Sequence, residues 1–314
     1  MKKIIFLFIL MCGVLFCSCE KKAEEVSGFS MDAPYSIKAD DLSDEEKKEA
    51  GSIISKCDIL FDAYDESSAI SILNKEKKLA GNEEVYEVIK NSLLYCDESF
   101  DITIRNVSKL WNFNSDNPVP PSDKEIKNAL KSVDYKNVVA DNGEITLLNN
   151  TEIELGGVVK GYCADRVFEA LKESEAVIDI GGTVITSKKD GITVGVREPF
   201  GDGILCSLKL PYGYGISTSG TYERSFYYND KFYHHILNPK TGMSVENNLL
   251  SVSVISKSAF LSDILSTKYF VEGLEGDTED DVGVIYVTKD KKIYTKGNIN
   301  FDNINNSYEV AYAY

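Results

Sequence analysis

Residues 176–210 read AVIDIGGTVITSKKDGITVGVREPFGDGILCSLKL. Four runs stand out in it, Ala176–Ile180, Val184–Ser187, Ile192–Val196 and Cys206–Leu210, the first three rich in β-branched residues and the last alternating apolar with polar. Such side chains fit a pleated surface, and Gly181-Gly182 and the Gly- and Pro-containing gaps between the runs are turn formers. Each run therefore predicts a strand. The strands follow one another without the helix that a parallel βαβ sheet places between each pair. Sheets and helices mixed without regular alternation indicate an α+β fold.

Downstream, Ser225–Tyr228 and Lys231–Ile236 flank Asn229-Asp230, a hairpin signal, and Leu250–Ile255 alternates strictly. A helix over about Ser258–Gly273 and two more strands, Val282–Val287 and Lys292–Lys296, complete the second half. Upstream, Ser30–Ala39 predicts a first strand. Ser43 with Glu46 and Ser122 with Glu125 are capping boxes that open helices, the first with the stripe Ile53, Ile54, Cys57, Leu60, Phe61. A further helix is expected over Glu83–Glu98, and a proline-bearing loop over Asn114–Ser122. Residues 30–314 form a single large domain on this reading, without repeats or low-complexity linkers.

The chain has 314 residues and a formal net charge of −16. That excess of acid excludes nucleic-acid binding, because nothing neutralises a run of phosphates. An anionic ligand must then be met locally, by backbone N–H groups or a metal ion. At the N-terminus, Lys2 and Lys3 precede an apolar run, Ile4–Phe16, too short to span a bilayer comfortably. A small residue, Ser18, stands before Cys19, as in a bacterial lipobox. Residues 1–18 are thus expected as a lipoprotein signal, with a cleaved soluble signal or a plain membrane anchor as the alternatives, Cys19 as the acylated (palmitate-bearing) first mature residue, and 19–29 as a polar tether. The expected location is a membrane-anchored, extracytoplasmic one, at the periplasmic side of an inner membrane or the outer face of the cell membrane. Cys57, Cys96, Cys163 and Cys206 are widely spaced without a C-x-x-C, so buried thiols are expected rather than a zinc or disulfide framework.

Four segments can carry chemistry. Gly156-Gly157-Val158-Val159-Lys160-Gly161 is a glycine-punctuated turn into a helix through Leu171, a geometry suited to anions or simply a tight helix start. Asp263 and Thr267, four apart on a helix, put two oxygens on one face, a hard-ligand pair for Mg²⁺ or an ordinary i, i+4 contact. His234 and His235 are the only histidines; alternation puts them on opposite faces of their strand, so one is free to be structural. Ser217–Arg224, hydroxylated around Gly220, suits close ligand approach, with Arg224 facing a phosphate or a carboxylate.

Taken in order, these segments resemble the ApbE family of FAD:protein FMN transferases, which are often lipoproteins. Gly156–Asp165 resembles its G-G-(I/V)-A-K-G-Y-x-x-D, Ser219–Arg224 its S-G-x-Y-x-R, His235–Gly242 its H-I-(I/V)-(D/N)-P-x-T-G, and Asp263–Thr267 its D-x-x-x-T. Phe100-Asp101-Ile102-Thr103 with Leu110-Trp111 matches F-D-(I/P)-T…L-W. Ser30–Tyr35 is similar to the family's first strand, and Tyr64 lies where the family has an aromatic before its S-x-(I/L)-x-x-L-N stretch, here Ser68–Asn74.

The resemblance implies a fold of mixed sheets with packed helices, related to the T-fold. It implies transfer of FMN from FAD to a Thr or Ser hydroxyl of an acceptor protein, a membrane redox subunit, with Mg²⁺ as cofactor and AMP released. It further implies metal ligation by Asp263, Thr267 and the main-chain carbonyl of Val159, and a proton-accepting role for His235. Met31, Tyr64, Ser99, Phe100, Asp101, Gly156, Tyr162, Ile236 and Ser266 would line the flavin nucleotide. An Mg²⁺-dependent FAD pyrophosphatase and a non-catalytic FAD-binding lipoprotein are the alternatives. The chain departs from the pattern at Val159, Thr183, Thr221 and Asn238, and at Ile104–Val107, where the family has a Gly-Pro-Leu-like turn.

Overall fold

The computed structural model describes residues 24–297 and 299–312. Met1–Ser18, Cys19 and residues 20–23, expected as signal, lipidation site and start of the tether, lie outside the described residues. The remainder of the expected tether is a strand. Glu24–Ser30 (β1) pairs antiparallel with Ala33–Ala39 (β2), from Glu24↔Ala39 to Ser30↔Ala33. The strand expected over Ser30–Ala39 is therefore interrupted by a tight turn at Met31-Asp32, with φ of 52° and 56°. Two positive φ values are what a type I′ hairpin requires, and without a glycine the turn carried no signal.

Helix α1 (Asp44–Phe61) opens on the complete Ser43/Glu46 capping box and buries Ala50, Ile54, Cys57 and Phe61. Then come α2 (Ala69–Glu76), β3 (Lys78–Ala80) and α3 (Glu83–Leu93). α3 is shorter than expected. The Asp97 carboxylate accepts the N–H groups of Ser99 (2.7 Å) and Phe100 (3.2 Å), which turns the chain before Glu98 can continue a helix. α4 (Arg105–Trp111) and α5 (Asp123–Ala129) follow, the latter with its Ser122/Glu125 box in place, and β4 (Val138–Asp141) and β5 (Glu144–Leu147) join β3 in a small sheet.

The second half holds α6 (Val159–Leu171), β6 (Val177–Ile180), β7 (Thr183–Thr186), β8 (Ile192–Arg197), β9 (Ile204–Leu210), β10 (Gly215–Gly220), β11 (Ser225–Tyr228), β12 (Lys231–His234) and β13 (Leu249–Ser256). After them come α7 (Ala259–Glu272), β14 (Gly283–Thr288), β15 (Lys292–Lys296), β16 (Phe301–Asn303) and β17 (Glu309–Tyr312). β12 stops at His234, short of Ile236. The His234 N–H turns to Ser244 Oγ (3.0 Å) and the Ile236 carbonyl accepts from Val245 N–H (3.0 Å), so the chain leaves β11.

Nine strands form the main sheet in the order β1-β2-β6-β7-β10-β13-β14-β15-β17, antiparallel except for β15 with β17. β14 is buried along its whole length, and its two faces meet different layers. Val284 and Tyr286 join Leu265, Tyr269 and Phe270 of α7, while Ile285 and Val287 join Leu205, Leu208 and Leu210 of β9. α6 and α7 thus cover one face of the sheet, and the small sheet β16-β9-β8 covers the other. A separate core cluster of α1, α6 and β2 contains Ile37, Ile54, Cys57 and Cys163. Cys57, Cys96, Cys163 and Cys206 are buried and free, as expected. Among the described residues no helix is long and apolar enough to cross a membrane.

Candidate active site

The site is built where α6 and α7 cross. Gly161 lies at the closest approach: a Cβ there would sit 2.3 Å from the Ala259 carbonyl oxygen and 2.8 Å from Asp263 Cβ. Only glycine lets the helices come this near. At that crossing each helix caps the other. The Asp165 carboxylate of α6 accepts the N–H groups of Ala259 (2.7 Å) and Phe260 (3.0 Å) and the Ser258 hydroxyl at the start of α7. In return, Asp263 Oδ2 accepts the Gly161 N–H (3.0 Å) in the first turn of α6. First-turn N–H groups lack partners within their own helix, so both carboxylates meet otherwise orphaned donors. Burial nevertheless raises the Asp165 carboxyl above its ordinary value.

Asp263 is buried, 4% exposed, and its Oδ1 accepts from Ser217 Oγ of β10 (2.9 Å). Thr183 Oγ1 holds Ser217 in turn (2.9 Å). The Lys160 ammonium lies 3.9 Å from the same Oδ1. One turn on, Thr267 Oγ1 lies 3.1 Å from Ser219 Oγ, which also meets Ser266 Oγ at 2.8 Å. Gly157 brings the glycine turn over these groups: its Cβ would lie 3.3 Å from Thr267 Oγ1 and 3.6 Å from the Phe100 ring. The expected metal ligands are thus on adjacent turns of two crossed helices. Among the described residues no three His, Cys, Asp or Glu side chains converge, which disfavours a soft or nitrogen-ligated metal. One buried carboxylate, a partly exposed hydroxyl and a main-chain carbonyl fit Mg²⁺, which takes few protein oxygens and fills its shell with water and phosphate.

The two histidines separate cleanly. His234 is 4% exposed, its Nε2 pairs with the Val245 carbonyl (3.0 Å), its ring meets Phe270 edge-on, and burial pushes it down to about 4. It is a structural residue. His235 is partly exposed, its N–H donates to the Arg224 carbonyl (3.0 Å), and its Nδ1 is enclosed without a partner. Burial first, then the charges of Arg224 and His234, push it down to about 3, and Lys160 adds to the same effect. Its ring is therefore neutral at physiological pH. The segment after it is anchored: Asn238 Oδ1 accepts the N–H groups of Lys240 (2.9 Å) and Thr241 (3.2 Å), and Trp111 Nε1–H donates to the Gly242 carbonyl (2.8 Å).

Other expected residues surround this centre. Met31 sits in the β1–β2 turn with its N–H on Asp58 Oδ1 (3.0 Å), and neighbouring Asp32 pairs with Arg224 at 3.4 Å. Phe100 is buried beside the glycine turn and Ser99 precedes it. Gly156 is exposed, and its carbonyl accepts from the Lys160 ammonium (3.1 Å). Ser266 is buried under Ser219, and Ile236 is buried among the β13–α7 residues. Tyr64 is 58% exposed, with the Arg105 guanidinium 4.4 Å from its ring centre. Two expected residues turn their polar groups to the fold. Asp101 accepts from Thr103 N–H (2.8 Å), the Thr103 hydroxyl (2.6 Å) and Tyr135 N–H (3.0 Å), and Tyr162 donates its hydroxyl to Glu84 (3.0 Å).

The sequence assigned no role to Lys160, Thr183 or the half-buried Arg105–Glu154 pair (3.5 Å), and it offered Ser217 for ligand approach but not as a partner of Asp263. Lys160 lies within the glycine-punctuated segment, next to Val159. The contacts of Thr183, Ser217 and Arg105 join segments distant in sequence, which no local pattern pairs. The departures are accommodated. Val159 turns its branched side chain into the core, Thr183 supports Ser217, Thr221 Oγ1 bonds the Leu250 carbonyl (3.3 Å), and Asn238 uses only the oxygen that Asp would share.

The ApbE family profile matches residues 31–279. An FAD:protein FMN transferase of Klebsiella pneumoniae is 31% identical over 242 residues, covering 72% of this chain and 76% of that protein. One of Buchnera aphidicola is 29% identical over 285 residues, 83% of each. The crystal structure of the ApbE protein of Thermotoga maritima superposes with a TM-score of 0.77 at 28% identity, over 89% of this chain and 96% of that one. With the family pattern spanning strand, crossed helices and histidine turn alike, the chain belongs to the ApbE family.

Proposed function

We propose that this protein transfers the FMN moiety of FAD to a Thr or Ser hydroxyl of an acceptor protein and releases AMP, with Mg²⁺ as cofactor. The observation that carries the reading is the packing of a buried carboxylate, Asp263, and of Thr267 against the glycine turn that opens α6, in a chain related to FAD:protein FMN transferases. Asp263, Thr267 and the Val159 carbonyl would hold the cation. When bound, it would offset charge on the diphosphate and on the departing AMP.

The chain's own groups do the rest. The lone pair of neutral His235 accepts the proton of the acceptor hydroxyl. The hydroxyl oxygen bonds to the phosphorus of the FMN half, the bond from that phosphorus to the bridging oxygen breaks, and AMP leaves with the electron pair. Gly156 and Gly157 let the dinucleotide approach backbone without a Cβ in the way. The exposed ring of Tyr64 offers apolar surface for a planar ring system.

The test is incubation with FAD and Mg²⁺, with and without a threonine-bearing acceptor domain, followed by intact-mass measurement. The expected result is an acceptor heavier by one FMN and an equal amount of AMP. Free FMN in both tubes with no modified acceptor rules instead for hydrolysis, and intact FAD rules for binding alone. We also propose that Cys19 carries a lipid anchor that holds the domain at the extracytoplasmic face, near a membrane redox subunit as acceptor. Loss of palmitate label and of membrane fractionation in Cys19→Ala is the expected outcome, and retention of both refutes it.

A further inference from the structure

A carboxylate as enclosed as Asp263 needs a positive charge beside it, because burial of an unpaired ion is strongly unfavourable. The cation that the structure puts there is Lys160, 3.9 Å from Oδ1. Lys160 is not a free surface lysine. Its stem is boxed by the Gly181 backbone, where an added Cβ would lie 2.8 Å from Lys160 Cδ, and its ammonium also bonds the Gly156 carbonyl at 3.1 Å. Its side chain is 25% exposed, so it spans from the buried carboxylate to the mouth of the site. The remaining partners of Asp263, the Gly161 N–H and the Ser217 hydroxyl, are neutral.

We propose that Lys160 is a tethered counter-ion that competes with the divalent cation for Asp263 and, once displaced, serves the diphosphate of the dinucleotide. This rests on the metal reading above and adds a residue to it. An ammonium and a divalent cation repel strongly at such separations in a poorly solvated site, so both do not stay on one carboxylate oxygen. Lys160 sits one residue from Val159 and within the field felt by His235, so a short swing of its flexible stem carries the ammonium to the open side, where an anion would lie. Metal and dinucleotide then favour each other: the metal frees Lys160, and the dinucleotide's charge accepts it.

The test is Mn²⁺ binding to the full chain without FAD, followed by the electron paramagnetic resonance of free Mn²⁺, for the parent, Lys160→Met, Lys160→Arg and Asp263→Ala. Lys160→Met is expected to bind Mn²⁺ about tenfold more tightly than the parent, and Lys160→Arg within about twofold of it. Adding FAD should tighten Mn²⁺ binding in the parent and in Lys160→Arg, and do so less in Lys160→Met. Lys160→Gln removes the same charge with a polar replacement and gives the same reading if the methionine variant does not fold. Mn²⁺ binding by Lys160→Met and Lys160→Gln no tighter than by the parent overturns the competition. A parent that binds no Mn²⁺, or binds it equally with Asp263→Ala, overturns the metal reading itself, a different and separable result.

Discussion

His234 and His235 show what a single residue's surroundings decide. The dipeptide was visible as the chain's only imidazole pair, and strand alternation put the two on opposite faces, but which one is structural depended on packing. Phe270 and the Val245 carbonyl, both distant in sequence, claim His234. His235 keeps a ring nitrogen enclosed and unpaired. An ordinary histidine loses its basic lone pair below about pH 6.5. His235, pushed down to about 3, stays neutral far lower. The kcat/KM profile, which reports the free enzyme, should therefore lack an acid limb near pH 6.5 from this residue, provided the fold is intact. His235→Ala should lower transfer by about 10²- to 10⁴-fold with FAD affinity near that of the parent. Steady-state rates from pH 5 to 8 and equilibrium FAD binding check both. Asp263 and Thr267 were likewise legible, since i, i+4 spacing is local. The bonds by which Ser217 and Thr183 orient Asp263 were not, because only the folded sheet brings β7 and β10 to α7.

Among the elements, helices announced by capping boxes were legible at their starts, as in α1 and α5. β10 was not read as a strand. Its Gly-Ile-Ser-Thr-Ser-Gly looks like a ligand loop, yet it lies between β7 and β13 with Thr218 bonded to Ser253 (2.7 Å) and Ser219 to Ser266. Hydroxyls replace branched carbons there because they serve α7 and the site. The α6–α7 crossing gives a sharp pair of predictions. In an open helix interior, Gly→Ala is favourable by roughly 0.5–1 kcal/mol. Gly51 of α1 has nothing within 4 Å of a Cβ, so Gly51→Ala should stabilise by about that amount. Gly161→Ala meets the Ala259 backbone instead and should destabilise by about 1–3 kcal/mol or more, as overpacking does, while loosening Asp263. Urea denaturation of the two variants beside the parent decides the signs.

At the scale of the molecule, the net charge of −16 sets the background against which an anionic dinucleotide binds, and Lys160, Arg224 and Arg105 are its local exceptions. The same scale governs acid stability. The unfolded chain protonates His234 near its ordinary 6.5, the folded one only near about 4. The unfolded state thus binds more protons in that window, so stability is full above 6.5 and falls as pH drops toward 4, by up to about 3 kcal/mol from this residue. His235 acts in the same direction. His234→Gln should flatten this part of the decline between pH 7 and 4.5, read from denaturation midpoints at each pH. The strand order of the large sheet has one more consequence. It follows chain order without exception, from β1 at one rim to β17 at the other. A ribosome can therefore lay the sheet down row by row as it translates. Asp165, however, waits for partners at Ser258–Phe260, and Gly161 waits for Asp263. A nascent chain halted before residue 258 holds six rows of fabric and an unfinished seam, so competence waits for α7 to emerge.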